Sequence, residues 1–585
     1  MREDKSNTTK WILAGILVFC LASYFPVFTN GFTNWDDPEQ VLQNADVHAL
    51  SIDNSLKIFS SFYVGMYQPF TTQVYAFIYY LFGDSATAFH SFSLLIHLIN
   101  VILVFVLIRQ FSRRDDLALI TSALFALTPL QVESVAWVSA SSNLLFTAFY
   151  LAGLLAYLHY IRQSKTKYFL YTLLFFILSL LSKPTAVSFP LVLLFMDFYF
   201  RRGLTLRVII EKAPFFLLSL LIGLVIIFAR EEAGHIIDIS DRFGVGSRFL
   251  MVIYALAFYI AKLFVPSGLS AFHPYPPEFL PLAYYIAPLI PLMIIFLIIR
   301  LKGEPRRQLT TGMIFFLLTI FIVLEIIPVG VQVVKERYVY LPSIGIYYAF
   351  AYMFMFYAAG RRYHRWLPAT GVVVFALAFG ITTFSRTMTW HDSLSLWDDV
   401  LEQYPDASPA FINRGNAWLA EGDYNRAISD YTMAINWEPM AADAYLNRGL
   451  VYYRLEEIEK SIRDFDKAVA LGINDAETYN NRGLLRAARN EIEGALSDFD
   501  MATKIDPAYT KAWVNKGLTH AKMGDYNLAI TAISEALKKE PQLARAYYWR
   551  GMVLLQMGQT ESACRDMKTA VSYGWPSGQI PEICL

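Results

Sequence analysis

Two adjacent aspartates, Asp36 and Asp37, follow the first long apolar run of the sequence. Neighbouring carboxylates repel each other, which raises the pKa of one of them and suits it to act as a general base near neutral pH. The same Asp-Asp-Pro sequence is also an ordinary start of a helix or turn. A third carboxylate, Glu133, lies at the edge of another apolar run, where a lone glutamate is more often an interfacial cap than a catalyst. These three residues are the candidate catalytic carboxylates.

Two cations occupy positions between apolar runs that suit them to bind a lipid phosphate. Lys183 lies in the turn 181–184, and Arg337 is followed by Tyr338. A lysine attracts phosphate as a point charge, whereas an arginine grips phosphate oxygens with two parallel hydrogen bonds. For either cation taken alone, snorkelling to lipid headgroups explains its position equally well. Lys183, Arg337 and Tyr338 are the candidate donor-phosphate-binding residues.

The elements that must position these side chains are membrane helices. Hydrophobic residues make up 56% of the 585-residue chain and charged residues only 17%, which is too apolar for a soluble protein of this length. A bilayer core about 30 Å thick requires roughly 20 apolar residues per helix. Candidate runs lie at 11–28, 86–108, 116–130, 143–161, 168–182, 185–200, 213–229, 249–265, 281–300, 311–329, 343–358 and 367–384. The sequence predicts an all-α polytopic membrane domain over residues 1–385.

Six clusters of basic residues between the runs belong on the cytoplasmic side by the positive-inside rule. Three runs separate the clusters at 201–212 and 300–307, so one of the three must not cross. The weakest is 249–265, which contains Lys262 and is closed by Pro266. About eleven spans are therefore predicted, with the C-terminal part outside the cytoplasm. If one cluster instead breaks the rule, twelve runs cross and the C-terminal part is cytoplasmic.

Beyond the membrane domain, glycines recur every 34 residues, at Gly415, Gly449, Gly483, Gly517 and Gly551. Small residues at this period let paired helices cross closely and are typical of tetratricopeptide repeats. The sequence predicts a connecting segment over 386–406 and an α-solenoid of about five repeats over 407–585. Four asparagines near the glycines can bind a peptide backbone, although solvated or inter-repeat contacts explain them equally well: Asn413, Asn447, Asn481 and Asn515.

Taken in order, these segments resemble the transmembrane O-mannosyltransferases with tetratricopeptide repeats and their bacterial relatives. The resemblance covers nearly the whole chain. It rests on Trp35-Asp36-Asp37, on Phe89-His90 with His97 and Asn100, on the segment 129–137, on Ser182-Lys183-Pro184, on Asp197, on the segment 337–345, and on Trp390-His391-Asp392-Ser393.

The resemblance implies a fold-type C glycosyltransferase that transfers a sugar from a polyprenyl-phosphate donor to a hydroxyl, with inversion. Asp36 or Asp37 would deprotonate the acceptor, and Lys183 and Arg337 would hold the leaving lipid phosphate. No metal or other cofactor is then required, because those cations already stabilise the phosphate leaving group. The lipid-linked sugar donor is a substrate. The array would position an acceptor protein or peptide on the periplasmic face of a bacterial inner membrane. Two segments depart from the family pattern: Gln68 replaces an arginine, and Ser141-Ser142-Asn143 replaces an Arg-Lys-Asp run.

The charge balance and the cysteine content bear on nucleic-acid binding, metal sites and disulfides. The 49 basic and 49 acidic residues cancel, so no net field favours nucleic acid. Three cysteines have no metal-ligand spacing, and Cys564 and Cys584 are expected to be unpaired thiols rather than a disulfide.

Two other classes of protein are compatible with this architecture. A non-enzymatic scaffold would use the spans only as an anchor for a peptide-binding array, but a simple anchor needs one span. A transporter would carry more buried charge than is visible, although Glu325 is a stray intramembrane candidate. His90, His97 and Asn100 are expected to form hydrogen bonds between helices rather than to act in catalysis.

Overall fold

The protein is helical throughout the residues that the computed structural model describes, which are 2–203, 205–232, 242–276, 279–324, 332–359 and 366–584. Within those ranges there is no β-strand, only two isolated bridges between Tyr63 and Met66 and between Pro274 and Gln332. The contacts divide the chain into two units, Met1–Pro405 and Asp406–Leu585. The predicted all-α fold is confirmed.

The first unit contains long apolar helices joined by short helices and 3-10 turns. Its α-helices are Arg2–Ser23, Ile52–Ser60, Pro69–Phe82, Ala86–Ser112, Asp115–Leu127, Val132–Ala136, Ser141–Gln163, Thr166–Ser182, Phe189–Tyr199, Leu206–Ile210, Ala213–Glu232, Val245–Lys262, Leu282–Ile286, Leu289–Arg300, Gly303–Ile320, Ser343–Ala359, Trp366–Met388 and Ser393–Gln403. The last of these occupies most of the predicted connecting segment and belongs to the first unit.

Among the described residues, six helices are long and apolar enough to cross a membrane, or seven if one bent pair counts as a span. Five further apolar helices are shorter, at 10–17 residues. The first unit therefore has the helices of an integral membrane protein. The count of eleven crossings stays a prediction. Glu325 and the basic cluster at 361–365 lie outside the described residues.

The run predicted not to cross is a continuous helix, Val245–Lys262, which passes the same test of length and hydropathy as the other candidate spans. Lys262 forms its last turn and so does not interrupt it. The helix itself therefore gives no reason to exclude this run from crossing. The side of the membrane that carries the array remains a prediction.

The bent pair is formed where a proline interrupts an apolar run. Helix Asp115–Leu127 ends just before Pro129, and the chain turns by 57° into the segment Pro129–Ala136. Proline disfavours helix at the residue before it, here Thr128, which is extended. Residues 131–142 form short buried helices and turns that carry Glu133 into the interior.

Polar side chains on helix Ala86–Ser112 bind neighbouring segments. The His97 Nδ1 lies 2.6 Å from the Tyr340 hydroxyl, and the Asn100 Nδ2 donates to the Leu144 carbonyl at 3.0 Å. The His90 Nε2 lies 3.0 Å from the Gly31 carbonyl. The Asn100 bond joins two helices, as the sequence analysis expected, and so does the contact of the His97 Nε2 with the Ala126 carbonyl at 3.2 Å. Gly31, the partner of His90, lies outside the helices.

The second unit consists of five pairs of α-helices. They are Ser408–Glu421, Tyr424–Trp437, Ala442–Arg454, Ile458–Ala470, Ala476–Ala488, Ile492–Ile505, Thr510–Met523, Tyr526–Lys539, Ala544–Gln556 and Thr560–Ser572. Each recurring glycine lies where two helices of a pair meet: a Cβ at Gly415 would approach the Tyr431 ring to 2.7 Å, and one at Gly483 would approach the Phe499 ring to 2.8 Å. The predicted reason for the 34-residue glycine period is therefore visible in the packing.

The expectation of two unpaired C-terminal thiols is wrong. Cys564 and Cys584 form a disulfide that ties the end of the chain to the last long helix. Residues after that helix turn back, so Cys584 and Ile580 pack beside Met567. The spacing of 20 residues carries no information about this reversal. Cys20 is a free, buried thiol.

Candidate active site

A cavity of about 590 Å³ in the first unit brings together side chains that are far apart in the sequence. Asp36, Lys183, Arg337 and Tyr338 all line it. Four more lining residues come from the buried segment after Pro129, namely Trp137, Ser139, Ala140 and Ser142. One carboxylate and two cations therefore share one chamber.

Asp36 is the member of the aspartate pair that faces the cavity. Among the described residues, none donates a hydrogen bond to its carboxylate. The charged groups that influence its pKa are Arg337, Asp37, Glu39 and Lys335. Burial raises the pKa of Asp36 to about 6, although Arg337 opposes this shift, and the neighbouring Asp37 adds to it. A carboxylate with a raised pKa and unused acceptor oxygens is equipped to take a proton.

Asp37 is turned away from the cavity and is buried. Its Oδ2 accepts hydrogen bonds from the Thr33 backbone N–H at 2.9 Å and hydroxyl at 3.1 Å. Its Oδ1 accepts from the Ser139 backbone N–H at 2.9 Å and hydroxyl at 2.5 Å. Burial raises the pKa of Asp37, and these four bonds oppose the rise. The residue joins the first loop to the segment after Pro129, so of the pair it is the structural member.

Glu133 does not line the cavity but holds one of the cations that do. Its Oε2 accepts the Arg337 backbone N–H at 2.6 Å, and its Oε1 pairs with the Arg337 guanidinium. The Glu133 side chain is only 2% exposed. Its contacts orient Arg337, whereas the sequence analysis had included Glu133 among the candidate catalytic groups.

The cations surround the aromatic ring of Tyr338. Lys183 lies 5.9 Å from the ring centroid, Arg337 5.4 Å and Lys335 5.3 Å. The Lys183 ammonium also donates to the Asn143 Oδ1 at 2.7 Å. Lys335 is the third cation of the cluster, and the sequence analysis did not assign it to the site. Its position two residues before Arg337, on the same short turn, is the signal that was available.

Part of the cavity wall is apolar. Ile227 is 57% exposed, and Phe321 and Ile322 are 38% and 40% exposed, although all three border the chamber. A chamber with a cationic side and an exposed apolar side fits an amphiphile that has an anionic headgroup.

Part of this unit matches a known family. Residues 68–229 match the dolichyl-phosphate-mannose-protein mannosyltransferases, and three segments, 415–456, 442–471 and 514–571, match tetratricopeptide repeats. The chain therefore combines a segment similar to mannosyltransferases with segments similar to tetratricopeptide repeats. A protein O-mannosyl-transferase of Caenorhabditis elegans is 26% identical over 217 residues, which is 34% of this chain and 30% of that protein. The chain thus spans less than a third of the length of this curated relative.

Several solved repeat proteins also match the chain. YrrB, described as a TPR protein with an unusual peptide-binding site, is 21% identical, with 30% of this chain and 92% of that chain covered and a TM-score of 0.29. MamA is 24% identical, with 27% and 93% covered and a TM-score of 0.27. The type IV pilus biogenesis factor PilW is 26% identical, with 28% and 77% covered and a TM-score of 0.26.

The mannosyltransferase-family match contains only part of the cavity lining. Glu133 and Lys183 fall inside residues 68–229, but Asp36, Arg337 and Tyr338 lie outside them. The candidate base and one phosphate-binding cation are thus supplied by segments on either side of the matched domain.

The two segments that depart from the family pattern both lie at the cavity. Gln68 is buried, and its Nε2 donates to the Gln40 Oε1 at 3.0 Å. Ser142 lines the chamber, and Asn143 accepts the hydrogen bond from Lys183. Neutral side chains therefore stand where the family pattern has charged ones.

Asp197, another residue of the resemblance, belongs to a separate buried ion network. Lys212 lies 2.9 Å from its carboxylate, Arg202 lies 3.1 Å from it, and the Tyr157 hydroxyl donates to it at 2.7 Å. None of these groups lines the cavity. Glu211 binds the same two cations, so the two acidic and two basic groups of the network compensate each other and hold these segments together.

The recurring polar residues of the array contact one another. Arg448 donates to both carboxylate oxygens of Asp464 on the second helix of its own repeat, and to the Thr432 hydroxyl of the preceding repeat. Arg414, Arg482 and Arg550 bind carboxylates sixteen residues further on in the same way. These arginines therefore fasten helices together.

The asparagines predicted to bind an acceptor have intramolecular partners as well. The Asn447 Nδ2 donates to Asn416 at 3.0 Å, and the Asn515 Nδ2 donates to Asn480 at 2.8 Å. The Asn413 Nδ2 donates to the Pro409 carbonyl at 2.9 Å. Asn481 accepts from Asn480 at 3.3 Å. Inter-repeat contacts, the alternative left open by the sequence, account for Asn447 and Asn515.

In the described part of the chain no group of three or more His, Cys, Asp or Glu side chains could hold a metal ion.

Proposed function

We propose that the chain transfers a sugar from a polyprenyl-phosphate donor to an acceptor hydroxyl on the non-cytoplasmic face of the membrane. The single observation that carries this proposal is the cavity, which combines Asp36 with the cations Lys183 and Arg337 and an exposed apolar wall. The match to mannosyltransferases over residues 68–229 supports the same reaction class.

In the proposed reaction Asp36 accepts the proton of the acceptor hydroxyl. The oxygen attacks the anomeric carbon of the sugar, and the bond between that carbon and the phosphate oxygen breaks. Attack from the side opposite the leaving group inverts the anomeric carbon. With its pKa near 6, Asp36 is largely deprotonated at neutral pH yet more basic than an ordinary aspartate. The proton leaves on Asp36, and the lipid phosphate leaves with the negative charge.

Lys183 and Arg337 are proposed to stabilise that charge as it develops. Charge-assisted hydrogen bonds in a site shielded from water stabilise a leaving phosphate more strongly than they would in bulk solvent. Glu133 fixes the direction of the Arg337 guanidinium without lining the cavity. The cation is thus held in place before the donor arrives, which reduces the reorganisation needed in the transition state.

The array is proposed to hold an acceptor protein or peptide. Because the recurring arginines and several of the asparagines are engaged within the array, the half-exposed and exposed side chains between them are the better candidates for acceptor contacts. A scaffold that merely anchors the array would not require a base, two cations and an apolar wall in one cavity.

Label transfer tests the proposed function directly. The full chain in nanodiscs is supplied with radiolabelled polyprenyl-phosphate mannose and with envelope proteins of the producing cells, and protein-bound label is counted. We expect Asp36→Asn to abolish label transfer and to retain the binding of polyprenyl phosphate. A parental rate in Asp36→Asn would exclude Asp36 as the base.

A further inference from the structure

The segment 387–397 contains the motif Trp390-His391-Asp392-Ser393, to which the proposed function assigns no role. It follows the helix Trp366–Met388 and leads into the helix Ser393–Gln403. Neither the mannosyltransferase-family match nor the repeat matches include it. It lies against the loop 30–37, which carries Asp36; we call that loop the acidic loop.

Four hydrogen bonds join the segment to the acidic loop. The Asn30 Nδ2 donates to the Thr387 carbonyl at 3.1 Å, and the Gly31 N–H donates to the His391 carbonyl at 2.8 Å. Two further bonds converge on Asn34, whose N–H donates to the Ser393 Oγ at 2.9 Å and whose Oδ1 accepts the Trp397 indole N–H at 2.8 Å. The two halves of the contact are separated by about 360 residues of sequence, as the separation of 359 between Asn34 and Ser393 shows.

A stack of tryptophans reinforces these bonds. Trp35 packs against Trp137 at 5.0 Å between ring centroids and against Trp397 at 5.2 Å. Trp390 in turn stacks on Trp137 at 5.7 Å. Trp137, Trp390 and Trp397 are at most 2% exposed. Aromatic pairs of this kind add to the free energy gained from burial alone, and they resist lateral movement of the loop.

The position of the Asp36 carboxylate depends on its backbone, because no described residue donates a hydrogen bond to that side chain. On one side the backbone is anchored by Asp37 and its four hydrogen bonds. On the other side it is anchored by Asn34, which is held by Ser393 and Trp397. Removal of either anchor leaves the carboxylate free to shift in the cavity.

We propose that Ser393 and Trp397 are positioning residues, which act through Asn34 to hold the Asp36 carboxylate in the geometry required for proton transfer. This inference rests on the proposed function. A salt bridge between Arg386 and Asp399, at 2.5 Å, joins the residues on either side of the segment. It helps to hold Ser393 and Trp397 against the acidic loop. The site is therefore completed by a segment at the C-terminal end of the membrane unit.

The substitution Trp397→Phe tests the proposal because it keeps an aromatic ring beside Trp35 while it removes the indole N–H that binds Asn34, together with part of the ring system. In the full chain in nanodiscs, with labelled polyprenyl-phosphate mannose, kcat is expected to fall by between about tenfold and a hundredfold, the range for a misplaced catalytic group. The KM for the donor and the binding of polyprenyl phosphate are expected to stay at the parental values. The control is Trp437→Phe, at a tryptophan of the array that is 53% exposed. Its kcat is expected to be unchanged.

A double-mutant cycle separates positioning from general loss of structure. If Trp397 acts through Asn34, then Asn34→Ala and Trp397→Phe together cost no more in kcat than either one alone. Additive losses, or a parental kcat in Trp397→Phe, would overturn the proposal. If Trp397→Phe shows no thermal transition, Ser393→Ala removes the other contact to Asn34 with less loss of volume, and the same kcat and KM criteria apply. An inactive Asp36→Asn beside a fully active Trp397→Phe rejects only the positioning role, whereas an active Asp36→Asn rejects the proposed base itself.

Discussion

Glu133 and Arg337 are 204 residues apart in the sequence, yet the Glu133 carboxylate binds both the backbone N–H and the guanidinium of Arg337. The pair is almost fully buried, with side chains 2% and 14% exposed. Neutralising one partner of a buried pair leaves the other charge uncompensated. The pair therefore fixes the Arg337 side chain more firmly than an exposed ion pair would.

Glu133→Gln is therefore expected to weaken donor binding and to lower the melting temperature. The amide cannot compensate the guanidinium, so Arg337 loses its fixed direction, and the free energy of unfolding falls by about 3–5 kcal/mol. Titration with polyprenyl phosphate and thermal unfolding measure the two effects. Glu304→Gln, which breaks an exposed pair with Arg307, should leave both measurements at parental values. A Glu133→Gln variant that binds and melts like the parent would contradict the role of the pair.

Lys183→Ala and Arg337→Ala are each expected to raise the dissociation constant for polyprenyl phosphate. Each removes a charge-assisted contact of about 1.5–3 kcal/mol, which corresponds to a loss of about ten- to a hundredfold in affinity. The matched control is Lys57→Ala, whose ammonium is exposed and pairs with Asp46 outside the cavity lining. Loss of turnover at saturating donor with unchanged affinity would show that the roles of base and cations have been exchanged.

Turnover is expected to rise with pH, with a midpoint near pH 6. Burial raises the pKa of Asp36 to about 6, and only the deprotonated form accepts a proton, so activity is present above this pH and is lost as the pH falls through it. The measurement is kcat/KM for the labelled donor between pH 5 and pH 8, because this ratio follows the ionisation of the donor-free protein, to which the pKa of Asp36 refers. A flat profile across that range would exclude Asp36 as the group that titrates.

Asp37→Asn is expected to act on stability. The substitution removes a buried negative charge that accepts four hydrogen bonds, and its amide group turns a donor toward donors on Thr33 or Ser139. The free energy of unfolding should fall by about 1–3 kcal/mol. Thermal unfolding of the full chain is the readout, with Asp53→Asn at an exposed position as the control. An unchanged melting temperature would mean that the four hydrogen bonds do not form.

The disulfide provides a test of the side on which the array lies. Structural disulfides persist outside the cytoplasm, so Cys564 and Cys584 should be oxidised in the chain made by its own cells. A maleimide added in denaturant without reductant is then expected to label Cys20 alone. Labelling of all three cysteines under those conditions would indicate a reducing compartment and a cytoplasmic array.

Periodic and compositional signals predicted most of the architecture. The 34-residue glycine period identified the array because each glycine is needed where two helices cross, and the apolar runs identified the membrane unit. The positions of Asp36, Lys183 and Arg337 between apolar runs made them candidates, and the family resemblance assigned them to one site. Contacts between residues that are distant in the sequence could not be predicted. Glu133 and Asp37 were therefore predicted to be catalytic, whereas in the structure they bind Arg337 and Ser139. The disulfide was missed for the same reason, as nothing local shows that the chain reverses after residue 572.

The exposed apolar wall of the cavity affects the energetic cost of loading a lipid substrate. Drawing an isoprenoid chain from the bilayer into water costs about 0.8 kcal/mol for each CH2 group. Beside Ile227, Phe321 and Ile322, a headgroup can reach Arg337 while the tail stays among other hydrocarbon chains. For the proposed polyprenyl-phosphate donor, substrate capture is then a two-dimensional search within the membrane, and the spent carrier returns to the bilayer by the same route.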